Sequence, residues 1–341
     1  MLLNIWFFLW ALLWAIYFVL DGFDFGMGIL LPFLAKNDKE KRIIYNSSGP
    51  YWDGNEVWLI TAGGVTFAAF PLAYATMFSA LYAPLLILLF ALIFRAVAFE
   101  FRNKSDSKIW KTACDVCLFL GNLLPGLLLG VAFANLFQGI PVDVDGVYHG
   151  NTLKLLNPYG LVGGLLFVLM FMYHGALWLN LKATGDLCGR AYKTARGVWA
   201  FLLCIYLVFL AMTAVFTNNW STVGYNPFLI IFLVIALAGL FTSYSLLVAG
   251  KMLGAWACSA AFILGSTLFG ILGMFPNLII SSLDPAASVN IYNGSSSPLT
   301  LKIMLVVALI GVPIVLAYQA WVYYTFSHRV SQETLESDHA Y

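Results

Sequence analysis

Gly49-Pro50-Tyr51-Trp52-Asp53-Gly54-Asn55-Glu56-Val57-Trp58 opens an apolar segment that carries no further charge until Arg95. Its acids, Asp53 and Glu56, are spaced to share one face of a helix. After them, Val57 to Phe70 supply 14 residues before Pro71. As a helix such a run spans about 21 Å, against a hydrocarbon core of about 30 Å. Either the helix continues past Pro71, or Asp53 and Glu56 are drawn into the membrane. An acid inside lipid costs roughly 2.5–3.5 kcal/mol on insertion scales and marks function. The competing reading leaves both acids at the water interface, where they cap the helix.

The remainder of the chain makes the membrane setting general. Of 341 residues, 62% are hydrophobic and only 10% are charged. Uncharged runs of about 20 residues recur, which no soluble core requires. The fold class is therefore an all-α polytopic membrane protein. The net charge of +1 gives no footprint for a nucleic-acid partner. The five cysteines, at 114, 117, 188, 204 and 258, lie mostly in or beside apolar segments and form no disulfide framework. Cys114-Asp-Val-Cys117 has the spacing of half a metal site, but no second pair follows, so no metal centre is expected. The first apolar run is too long for a signal-peptide core and has neither a basic start nor a small-residue cleavage site, so it reads as a retained span.

Nine transmembrane helices are expected, at about 3–34, 53–73, 76–100, 112–138, 159–182, 196–216, 226–250, 254–275 and 300–327. The second and third are joined by a turn at Phe70-Pro71-Leu72, and Pro125 kinks the fourth. Lysines and arginines follow the odd-numbered spans: Lys36, Lys39, Lys41 and Arg42, then Arg102, Lys104, Lys108 and Lys111, then Lys182, Arg190, Lys193 and Arg196, with Lys251 and Arg329. Lys154 and Lys302 lie opposite. This bias puts the N-terminus outside and the C-terminus in the cytoplasm. Residues 1–138 then form a first four-helix bundle, 139–158 an outer loop, and 159–275 a second four-helix bundle. A second outer loop covers 276–299, a peripheral helix 300–327 and a cytoplasmic tail 328–341. Gly22-x-x-x-Gly26 and Gly126-x-x-x-Gly130 allow close helix contacts.

With this topology Asp21, Asp24, Asp53, Glu56, Arg95, Glu100 and Asp115 all fall in the cytoplasmic half of the first bundle. Such a one-sided acidic cluster suits proton uptake, since carboxylates in low dielectric exchange protons. The other reading is an ion-pair network that only fixes helix packing, and the residues alone leave both open. Arg95 is expected to pair with Glu100 or Asp24. His174 is the intramembrane histidine, too few for several haems, and reads as a hydrogen-bonded core residue.

Four motifs carry a family resemblance: Asp21-Gly-Phe-Asp24-Phe-Gly-Met-Gly, Trp52-Asp-Gly-Asn-Glu-Val-Trp58, Phe94-Arg95-x3-Phe99-Glu100-Phe-Arg102 and Val131-Ala-Phe-Ala-Asn135-Leu-x-Gln-Gly139. Together they resemble subunit II of bacterial cytochrome bd quinol oxidase, over essentially the whole chain. The resemblance implies two four-helix bundles plus one peripheral helix in the bacterial cytoplasmic membrane, paired with a similar subunit I. Haem b and haem d belong to that partner, which oxidises quinol at its outer face and reduces oxygen to water. It implies cytoplasmic protons, part of whose path runs through the aspartate matching Asp53. The acids matching Asp24, Glu100 and Asp115 and the base matching Arg95 are functionally linked there, and Glu56 joins the path here. Some relatives hold a structural quinone beside the residue matching Trp52. Small single-span subunits and lipid complete the expected partners. Competing functions are a proton-coupled transporter using the same acids, which needs a midplane site between broken helices, and a purely structural subunit.

Overall fold

The computed structural model describes residues 1–330 and Leu335. The expected polar tail, Ser331 to Tyr341, otherwise lies outside the described residues. Among the described residues, twelve α-helices account for most of the chain. They are α1 (Leu2–Leu34), α2 (Asp38–Ser48), α3 (Trp52–Ala69), α4 (Pro71–Ala80), α5 (Tyr82–Phe101), α6 (Lys108–Gln138), α7 (Pro158–Lys182), α8 (Gly185–Phe216), α9 (Asn219–Tyr225), α10 (Leu229–Val248), α11 (Met252–Gly273) and α12 (Pro298–Thr325).

Among the described residues, eight helices are long and apolar enough to cross a membrane: α1, α5, α6, α7, α8, α10, α11 and α12. Helix α3, with 18 residues, is the expected span that falls outside this set. Its opening turns hold Asp53, Asn55 and Glu56, which lower its mean hydropathy. It stops where the sequence places Pro71, whose ring and missing N–H end one helix and start the next. The turn expected at Phe70-Pro71-Leu72 is thus a break followed by the ten-residue helix α4, and α5 starts at Tyr82 rather than near 76. Helix α8 likewise starts at Gly185, so the basic stretch before 196 is helical.

Helix α1 is the centre of the molecule. It packs against α3, α6, α7 and α11, and every residue from Asp21 to Leu31 is buried. Glycine makes this possible at the crossing with α7. A Cβ on Gly26 would lie 1.8 Å from the Phe171 carbonyl oxygen, and one on Gly175 would lie 2.6 Å from the Gly26 backbone. The two main chains therefore touch. Against α6, a Cβ on Gly28 would lie 2.0 Å from Asn122 Nδ2.

The loop between α11 and α12 forms a small antiparallel pair, β1 (Asn277–Ile279) and β2 (Val289–Asn290). The loop before α7 joins it through Ile140 and Ser281. Helix α12 is held mainly at its ends. Trp6 Nε1 donates to the Leu301 carbonyl at one end, and Gln319, Tyr323 and Phe326 bond to the start of α3 and its approach at the other. Between these ties its apolar side chains are largely exposed.

Replacing Gly26 with Val should separate α1 from α7. Overpacking costs about 1–3 kcal/mol, more where backbone must move. Thermal unfolding in detergent should show a lower Tm for Gly26→Val, whereas Gly63→Val, which meets open space, should leave Tm unchanged.

Candidate functional site

The acids of α1 and α3 meet a single cation contributed by α5. Arg95 is fully buried, as is Asp21. Its Nη2 donates to Asp21 Oδ1 at 2.7 Å and lies 2.7 Å from Glu56 Oε1. Nε donates to the same Glu56 oxygen at 3.0 Å, and Nη1 donates to Asn122 Oδ1 at 3.3 Å. The guanidinium also lies over the Phe25 ring, 4.7 Å from its centroid. The pairing expected with Glu100 or Asp24 is not found. Glu100 follows Arg95 by five positions on the same helix, which turns it to another face, and it is exposed. Asp24 has other partners.

Asp24 lies one turn beyond Asp21 and is bound by neutral donors. Ser48 Oγ donates to Asp24 Oδ1, and Asn55 Nδ2 donates to Oδ2 at 2.7 Å. Asn55 is completely buried, and its Oδ1 accepts from Tyr323 Oη at 3.0 Å and Gln319 Nε2 at 3.4 Å. Asp24 and the Arg95 cluster are thus adjacent on α1 but held by different chemistry.

Asp115 belongs to a second ionic cluster. Its carboxylate accepts from Arg102 Nε at 2.7 Å and Lys41 Nζ at 2.8 Å. Arg102 also donates to Asp38 at 2.7 Å, which ties α2 to the end of α5 and the start of α6. Burial raises the Asp38 carboxyl, but the hydrogen bond and charge of Arg102, with Lys111 and Lys41, outweigh it and hold Asp38 below the ordinary range.

The structure thus brings Asp24, Glu56 and Arg95 together and sets Asp115 apart. Asp53 and Glu100 are exposed and, among the described residues, make no ion pair. Glu56 keeps 20% of its side chain accessible and lines a cleft of about 700 Å³. Trp10, Trp14, Phe67 and Met77 are among the apolar groups around it. Trp52 stacks on Phe99 with ring centroids 5.3 Å apart, and its buried indole N–H has no partner among the described residues. His174 is engaged on both ring nitrogens, Nδ1 with Ser259 Oγ at 2.5 Å and Nε2 with the Val19 carbonyl at 3.2 Å. It stacks on Trp256, so the residues here do not fit an axial haem ligand.

Sequence reasoning missed Asn122, Gln319 and Tyr323. A signal existed for two of them: Asn122 and Gln319 are amides inside otherwise apolar runs, where an unpaired polar group is costly. Tyr323 gave none, since tyrosine is common at membrane interfaces.

A family model described as cytochrome bd terminal oxidase subunit II matches residues 2–326. A Bacillus subtilis protein, cytochrome bd ubiquinol oxidase subunit 2, is 38% identical over 338 residues, covering 97% of each chain. Escherichia coli K12 cytochrome bd-I ubiquinol oxidase subunit 2 is 37% identical over 364 residues, covering 97% of this chain and 96% of its own. A chain from the solved structure of bd oxidase from Geobacillus thermodenitrificans shares the fold, with a TM-score of 0.78 at 18% identity, covering 95% of this chain and 98% of that one.

Removing the shared cation should be more damaging than removing the whole cluster. Arg95→Gln leaves two acids without their cation and should destabilise the protein by about 3–5 kcal/mol. Adding Asp21→Asn and Glu56→Gln to it should recover part of that loss. Thermal melting of the single and triple variants checks this, and equal destabilisation would mean that no charge coupling exists.

Proposed function

The chain belongs to the cytochrome bd terminal oxidase subunit II family and so is a subunit of a quinol:oxygen oxidoreductase; from this premise we propose that it provides the cytoplasmic proton uptake route and scaffolds a haem-bearing subunit I. The observation that carries the proposal is the sharing of Arg95 by Asp21 and Glu56. With both acids ionised the cluster would carry a net negative charge in a low dielectric. The excess of acid over cation lets the pair share a proton, and Glu56, with 20% of its side chain accessible, is the member that can exchange it.

In this reading α3 is the ninth crossing, completing two four-helix bundles with α12 peripheral. The distribution of Lys and Arg supports an outer N-terminus and a cytoplasmic C-terminus in the bacterial cytoplasmic membrane. Reduction of one O2 to two waters takes four electrons, supplied by two quinols, and four protons. The exposed Asp53 takes protons from water. Glu56, on the next turn of α3, receives them and shares them with Asp21. Asp24 is the neighbouring carrier, bound by donors that do not neutralise its charge. Glu100, exposed near the inner end of α5, collects protons at the surface. Asp115 stays paired with Lys41 and Arg102 and fixes the frame.

Haem b and haem d are assigned to the partner, because the buried histidine of this chain has both nitrogens engaged. A structural quinone would lie beside Trp52, whose indole stacks on Phe99. The exposed apolar faces of α5 and α12 suit the partner subunit, small single-span subunits and lipid.

Asp53→Asn keeps the shape and a hydrogen-bonding group but removes the exchangeable acid. The assembled complex should keep its haem content and consume oxygen at least about tenfold more slowly, as proton uptake becomes limiting. Full turnover with an undiminished membrane potential would remove Asp53 from the route. Purified without its partner, the chain should give no haemochrome spectrum in pyridine. Stoichiometric haem would reverse the assignment.

A further inference from the structure

The hydrogen bonds around Asn55 have a fixed direction that can be traced to its origin. An amide presents a donor on one side and an acceptor on the other, so either end of Asn55 could face Asp24. An indole N–H only donates and a backbone carbonyl only accepts. Trp58 Nε1 donates to Gln319 Oε1 at 2.8 Å, while Gln319 Nε2 donates to the Gly54 carbonyl at 3.1 Å. These two contacts admit a single orientation of the Gln319 amide. Its Nε2 then faces Asn55 Oδ1 at 3.4 Å, and Tyr323 Oη donates to that same oxygen at 3.0 Å. With the Gln319 amide nitrogen on its oxygen, and the Tyr323 hydroxyl adding a second bond there, Asn55 turns its Nδ2 to Asp24 Oδ2, where it lies at 2.7 Å.

We propose that Gln319 and Tyr323 of α12 are positioning residues for Asp24, acting through the amide of Asn55. Without them the Asn55 oxygen loses the donors that hold the amide in place, and the Nδ2 bond to the carboxylate is weakened. With them, Asp24 always meets a donor, and its ionised form keeps the second hydrogen bond that Ser48 alone cannot supply. Other groups face Asp24 from each side: Asp21 on α1, Arg95 on α5, Tyr51 before α3 and Tyr323 itself. Of these groups Tyr323 is the one that hydrogen-bonds Asn55. The functional weight of this device rests on the reading of Asp24 as a proton carrier, while the positioning itself does not.

The test uses the assembled complex. The carboxyl infrared bands that vanish in Asp24→Asn identify Asp24. They are then titrated in Tyr323→Phe, in Gln319→Leu and in the double variant, alongside haem content and the pH profile of oxygen consumption. Loss of a hydrogen bond to the ionised form favours the protonated one. The Asp24 bands should therefore titrate at higher pH by about one unit in the double variant, the size of one weakened hydrogen bond to a charged group. The pH profile should move with them, at unchanged haem content. Tyr324→Phe, on the exposed side of α12, should move neither. Bands in the double variant that titrate as in the unsubstituted complex would overturn the proposal. If the double variant does not assemble, Tyr323→Phe removes a single oxygen and decides the matter with a smaller shift. If Asp24→Asn turns over at full rate, the proton-carrier reading falls, and the infrared titration still decides the positioning.

Discussion

One guanidinium serving two carboxylates is the constraint on which the rest of the structure depends. Arg95 is buried where water cannot solvate it, so its donors must be met by Asp21, Glu56 and Asn122 from three other helices. That requirement sets the rotation of α1, α3, α5 and α6 relative to one another. It also demands a close approach, which the glycines of α1 provide. At Gly26 the main chain of α1 lies against that of α7, and at Gly28 it makes room for the same Asn122 that receives Arg95. Glycine contacts and charge contacts therefore alternate along one helix, each permitting the other.

The two clusters of acids differ in how many cations they hold. Asp115 and Asp38 share Arg102 with Lys41 and Lys111 nearby, an arrangement rich in positive charge at the end of the spans. Asp21 and Glu56 share one cation, and Asp24 has only neutral donors. An excess of cations locks carboxylates in the ionised form, whereas a deficit leaves protons to be exchanged. On the proposed reading the Asp115 cluster plays a structural part and the Asp21–Asp24–Glu56 group a chemical one.

Much of this was legible in the sequence, because membranes impose strong rules. Long apolar runs gave the boundaries of α1, α7 and α12 to within a few residues. The break at Pro71 was visible, but the separate helix α4 was not, since Pro71 and Pro84 open two helices where one turn was expected. The gathering of acids was also visible. Their partners were not, because pairing depends on which faces meet. Glu100 looked like a neighbour of Arg95 in sequence and points elsewhere, while Gln319, far along the chain, completes the surroundings of Asn55. The family motifs, confirmed over residues 2–326, set aside the transporter alternative that the acids alone had left open.

Helix α1 also imposes an order in time. Within this sequence it precedes its partners, with Asp21 lying 74 residues before Arg95 and Asp24 lying 31 before Asn55. Asp21 therefore enters the membrane well before Arg95 can meet it. The 33 residues of α1 extend over about 50 Å, well beyond the hydrocarbon thickness. A newly inserted α1 can sit displaced along its axis, with the apolar Leu2–Leu20 stretch in the bilayer and both acids still near water at the membrane surface. Arrival of α3 and α5 then draws it into register. The surplus length of the first helix is thus what lets a chain carrying buried acids be inserted from its beginning.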